Sequence, residues 1–182
     1  MADTHTDIEK YCTWGVDHGA TDARIIHPGT IVTAAWVRWK CRYGCAGYGQ
    51  RYTCPPDAPT HGQTREMLDC YNRAILFHQE QPASAERAKI GRDFLNSMVQ
   101  LEEDLFKDGF YKAFAFLAGP CHLCKECAKS KGLPCNFGAK ARPCMEASGI
   151  DVFQTARNNG FYIVPLREKS DTRNIYCLLM VD

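Results

Sequence analysis

Two stretches of this chain have no apolar periodicity to fold on, and this limits its architecture more than any other feature. Residues 41–59 and 119–145 are broken by Gly and Pro and together hold eight of the 11 cysteines. The second stretch carries three prolines and three glycines, with lysines between them and no apolar stripe. Segments that bury little apolar surface do not offset the entropy of being ordered. Thiolate ligation of a metal supplies that order where packing does not.

The rest of the composition narrows the function classes. At 182 residues the chain reads as one domain spanning 1–182, large enough to bury roughly two thirds of its unfolded surface. Metal is therefore not needed to replace a missing core. A formal charge of +1, from 22 basic and 21 acidic side chains, provides no global field for a nucleic acid or an anionic membrane. No run of about 18 apolar residues exists, and Met1-Ala-Asp-Thr-His-Thr-Asp lacks leader features. A cytoplasmic location is expected. In that reducing compartment an odd set of 11 cysteines is not a disulfide framework, which leaves metal ligation or redox chemistry.

Elsewhere the pattern alternates. Residues 6–17 predict a helix, with Ile8, Cys12 and Val16 four apart. Residues 23–27 and 30–39 predict strands around the turn His27-Pro28-Gly29, the second rich in β-branched and aromatic residues. Residues 64–71 predict a short helix, and 73–78 a buried strand. Ser84 can cap a helix to about Lys107, striped by Phe94, Met98, Leu101 and Leu105 and ended at Asp108-Gly109. Residues 112–118 predict a strand, 151–158 a helix stopped by Asn159-Gly160, and 161–166 and 175–181 two final strands. The sum is an α/β fold, with α+β as the alternative: a mixed sheet with flanking helices and both cysteine loops emerging after strands.

The second cysteine group is the more specific. Cys121-x2-Cys124-x2-Cys127, preceded by Gly119-Pro120, can wrap three thiolates around three corners of a cubane. The fourth ligand is Cys135 or Cys144, and we favour Cys135. Tetrahedral zinc typically uses paired spacings rather than a triple, so a zinc knuckle is the alternative. In the first group, Cys41-x3-Cys45-x8-Cys54 supplies three thiolates, and Cys54-Pro55 echoes the Cys-Pro that closes the bacterial ferredoxin motif. No fourth thiolate is adjacent. Cys12, Cys70 and Cys177 fit small core residues better than ligands, which leaves one iron of such a cluster open to water, a histidine or substrate.

Beyond the cysteines, Tyr48-Gly49, Pro55-Pro56, Gly119-Pro120, Ala141-Arg142-Pro143, Met145-Glu146-Ala147 and Gly149-Ile150-Asp151-Val152 complete a recognisable pattern. Over nearly its whole length the chain resembles the predicted metal-binding proteins grouped as domain of unknown function twenty-two eighty-four. That resemblance implies a stand-alone iron-sulfur protein typical of anaerobic bacteria and archaea. It carries cysteine ligation to Cys41, Cys45, Cys54, Cys121, Cys124, Cys127 and Cys135. Serine is common at the position of Cys144, so the resemblance implies a three-thiolate cluster beside a four-thiolate one, and it implies no particular reaction.

Local charge and aromatics refine the expectation. Lys40, Arg42 and Arg51 flank the first group with no acid, and Lys125, Lys129, Lys131, Lys140 and Arg142 flank the second against Glu126 alone. Cations near a thiolate-ligated cluster stabilise its negative charge; they equally solvate a loop, or steer an acidic redox partner. Trp36, Trp39, Tyr43, Tyr48 and Tyr52, and Phe114, Phe116 and Phe137, are placed to shield the groups, although Trp36 and Phe114 read better as core. His61 and His122 lie near the groups and read as packed or solvated. No dinucleotide, phosphate-loop or nucleophile-elbow motif is present. Two functions compete. One is a carrier with two 4Fe-4S clusters and a protein redox partner; the other is an enzyme using the open iron at Cys41/Cys45/Cys54 on a small substrate, with Glu146, Asp151 and His61 as weak acid–base candidates. Structural zinc is the third alternative.

Overall fold

The computed structural model describes residues 6–182, with side chains from Ile8 onward. The opening segment weighed for leader features lies, through residue 5, outside the described residues. Along the chain run α1 (Thr6–Asp17), β1 (Asp22–Ile26), α2 (Ala35–Gly44), α3 (His61–Leu68), β2 (Ala74–Gln81), α4 (Arg87–Lys107), β3 (Phe114–Phe116), α5 (Val152–Asn158) and β4 (Arg173–Met180). The class is α+β. The sheet has the order β1-β2-β4-β3, and all three strand pairs are antiparallel. The parallel component of the expected mixed sheet is reduced to one bridge, Leu117 to Cys144.

Strand periodicity sorts the core onto two faces. Ile75, Phe77, Cys177, Leu179 and Ala115 point to one side, where α1 (Ile8, Tyr11) and α4 (Phe94, Met98, Leu101, Leu105) cover them. Ala74, Leu76, Tyr176, Leu178 and Phe116 point to the other, under Leu68 of α3, Ala156 of α5 and the irregular residues Met145, Ile150, Phe161 and Ile163. A strand covered on both faces reads as a continuous apolar run, as Ala74-Ile-Leu-Phe77 does. No helix among the described residues is long and apolar enough to cross a membrane.

Several expectations fail for identifiable reasons. Residues 30–39 are not a strand: after the bridge Thr33–Ile150 the chain turns into α2 at Ala35. Val37 and Cys41, and Trp39 and Tyr43, fall four apart, and burial of Val37 fixes the helix against its β-leaning composition. The first cysteine stretch therefore emerges from a helix, and only the second leaves a strand. Residues 161–166 keep the alternation of a strand, with Phe161 and Ile163 buried and Tyr162 exposed, but they have no strand partner. Ser84 does not cap α4; Glu86 occupies the cap position without a side-chain bond.

Candidate metal centre

Helix α2 delivers the first group. Cys41 stands in its last turn and Cys45 is its C-cap, donating its N–H to the Cys41 carbonyl. The chain then winds through turns to Cys54, followed by a cis Pro55–Pro56 peptide. Arg38 fixes this arrangement from one side: its guanidinium donates to the carbonyls of Ala58, Pro59 and Ala147. The Cys41 thiol is pushed up first by burial and then by Cys45, Glu146 and Cys54, with Arg38 opposing. Cys45 and Cys54 are thus close enough to Cys41 for their charge to act on its thiol.

The second group converges as well. Cys121, Cys124, Cys127 and Cys135 line one small pocket together with Arg51, Tyr52, Thr53 and Phe137. Burial raises the Cys124 thiol, and Cys121, Cys127 and Cys135 raise it further. The two groups adjoin. Arg51 Nε donates to the Cys121 carbonyl at 2.9 Å, Tyr52 donates its hydroxyl to the Leu133 carbonyl at 2.8 Å, and Lys129 pairs with Asp57. The Cys54 thiol is raised by burial, lowered by Arg51, and raised again by Cys45 and Cys121. The Thr53 hydroxyl leans toward it, buried and with no partner in hydrogen-bond geometry.

The segment joining both groups is 143–151, whose order the sequence reading missed. Leu117 exchanges bonds with it beyond the end of β3 (Leu117 N to Pro143 O and Met145 N to Leu117 O, both 2.9 Å), while Ala34 N donates to Gly149 O and Asp151 N to Val32 O, both at 2.8 Å. Gly149 has φ +78°, and a Cβ there would stand 2.9 Å from the His61 Cα. The signal was present as the motif Met145 to Val152, but its apolar residues follow no helix or strand period. The second stretch is further tied down by Arg142, which donates Nε and Nη2 to the buried Glu102 of α4 at 2.7 and 2.6 Å; Glu102 also accepts from Ala115 N.

The remaining candidates separate. Cys144 lies outside the four-thiol pocket, packed with Ala58 and Ala147; burial holds its thiol well above the usual range, and its sulfur accepts from Ala147 N. Cys12 packs against the core and Cys177 is buried in it, whereas Cys70 is exposed rather than core. His122 bonds Asn96 at 3.1 Å, and its pKa is lowered by burial and then by Arg92. His61 packs on Gly149. Three expected shields face water instead: Phe137 is exposed, and Trp39 and Tyr43, 62 % and 70 % exposed, stack at 5.6 Å on α2. Trp36 is exposed too, while Phe114 packs on the core as read.

Among the described residues no three His, Cys, Asp or Glu side chains close to single-ion geometry. Seven thiols in two adjoining groups, with Arg51 between them, nevertheless form a donor set suited to soft metal ligation. No curated protein and no solved structure matches the chain. A family model described as "Predicted metal-binding protein (DUF2284)" matches residues 24–181. With most of its length covered by that match, the chain belongs to this family of predicted metal-binding proteins.

Proposed function

We propose that the chain is an iron-sulfur protein that holds two 4Fe-4S clusters and passes single electrons to an acidic protein partner. Cys121, Cys124, Cys127 and Cys135 would hold one, and Cys41, Cys45 and Cys54 the other. The observation that carries this reading is the shared pocket of the four thiols, with Arg51 of the first stretch in its wall. A cubane takes sulfurs set wider than the roughly 2.3 Å zinc–sulfur bonds of a single tetrahedral ion impose, and that no three His, Cys, Asp or Glu side chains among the described residues close around one ion supports iron over a zinc knuckle. Clusters bound there supply one-electron transfer. Nearby cations and buried surroundings tune the potential of such sites, and Arg51 is in place for that. The exposed Trp39–Tyr43 stack, with Lys40 and Arg42 beside it, offers a docking surface of the charge that steers acidic partners. A reducing, oxygen-poor cytoplasm suits exposed thiolates.

Oxygen-free purification with iron and sulfide analysis tests the reading. About eight irons per chain and coupled paramagnetic signals on reduction are expected, four irons per cubane; one or two zincs and no signal overturn it. A second reading, an enzyme acting on a small molecule, is favoured by one specific observation: a cavity of about 720 Å³ reaches Cys41 and Cys45. Glu146 and Asp151 line it, whereas His61 does not.

A further inference from the structure

The cavity has a definite origin in the topology. β3 pairs only with Leu178–Met180 of β4, so the first half of β4 has no strand beside it on that edge. The cavity opens there, against Arg173, Asn174, Ile175 and Tyr176. Its volume of about 720 Å³ lies within the ~300–1,000 Å³ of small-molecule sites.

Its lining is chemically divided. Trp36, Leu95, Ile150, Ile163 and Val164 give apolar walls, and Cys41 and Cys45 border it. Lys40, Arg92 and Arg173 line it as well and are exposed. Among the described residues none of these three pairs with a carboxylate. Arg87, also in the lining, is held by the carbonyls of Pro82, Lys169 and Asp171. Of the acids, Asp151 already caps α5 through Oδ1, which leaves Glu146 beside Cys41. Cations thus outnumber acids around an apolar hollow in a chain that is close to neutral overall.

We infer that this cavity binds a small organic anion with an apolar body, its charged end held by Arg92 and Arg173 and its body directed along the apolar walls toward Cys41 and Cys45. That such a ligand is a substrate rests on the three-thiolate reading above, because its inner end would then meet the incompletely ligated metal. Binding itself does not depend on that reading.

Calorimetric titration of the oxygen-free protein with 4-phenylbutyrate, its neutral amide 4-phenylbutyramide and inorganic phosphate tests the inference. The acid is expected to bind at one site, with the amide and phosphate at least about tenfold weaker, since each lacks either the charge or the body. The double variant Arg92→Gln/Arg173→Gln is expected to lose about tenfold for the acid and nothing for the amide. Lys89→Gln, which removes one charge from α4 outside the lining, leaves both unchanged. No binding, equal binding of acid and amide, equally tight phosphate, or an unaffected double variant overturns the inference. Iron and sulfide analysis of the same sample separates the two failures: iron-loaded protein that ignores the acid refutes the cavity assignment, and iron-free folded protein that binds it refutes the cluster reading alone.

Discussion

At the residue scale, burial turns ordinary side chains into specific constraints. Glu102 is 8 % exposed and accepts from both Arg142 and Ala115 N, so it anchors the second cysteine stretch to α4 and β3 together. Removing one charge of such a pair leaves the other without compensation. Glu102→Gln is expected to cost about 3 kcal/mol, measured as a lower urea midpoint with an unchanged slope. The thiols divide in the same way. Cys124→Ser is expected to lower iron and sulfide per chain, whereas Cys70→Ser, at an exposed position outside the four-thiol pocket, should leave them unchanged. Equal iron in the two variants would remove Cys124 from the ligand set.

At the element scale, short local signals were legible where they act within a few residues. Asp151 caps α5 through Gln154 N, Gly109 turns the chain after α4 at φ 99°, and the stripe of α4 is buried as its spacing predicts. Thr60 and Gln63 form a reciprocal capping box that starts α3 at His61, three residues before the predicted start. Thr60→Ala is expected to cost about 1 kcal/mol, read as a shift in thermal midpoint. Helix α2 shows the opposite case. Its aromatic and branched residues favour a strand, but among the described residues it pairs with no strand, and burial of Val37 with the Arg38 clamp decides the matter. Gly149→Ala meets both a positive φ and the His61 backbone, so a loss of about 2 kcal/mol or more is expected. A loss of iron binding with it would show that segment 143–151 positions both cysteine groups.

At the scale of the whole molecule, the two packed faces of the sheet set a pH limit. Burial pushes the phenols of Tyr11 and Tyr176 up to about 12; in Tyr11 the bond to Asp108 adds to this. A pKa raised in the folded state means that the contribution is complete below the ordinary tyrosine value of about 10 and is lost as pH rises from there through about 12. The unfolding free energy is therefore expected to fall across that alkaline window, by on the order of 2 kcal/mol per tyrosine. Tyr176→Phe should flatten the slope, and an unchanged slope would contradict its burial as the cause. The sequence alone determined the elements whose signals are periodic or local, the α and β segments of the core, and the two cysteine-rich stretches that packing could not order. Only the tertiary structure decided that Arg51 reaches Cys121, that segment 143–151 ties the cysteine groups together, and that β4 outruns β3 to leave a cation-lined cavity beside Cys41. The physical reason is range: caps, turns and stripes act between residues a few positions apart, whereas each of those contacts joins parts of the chain brought together only when the sheet buries both its faces.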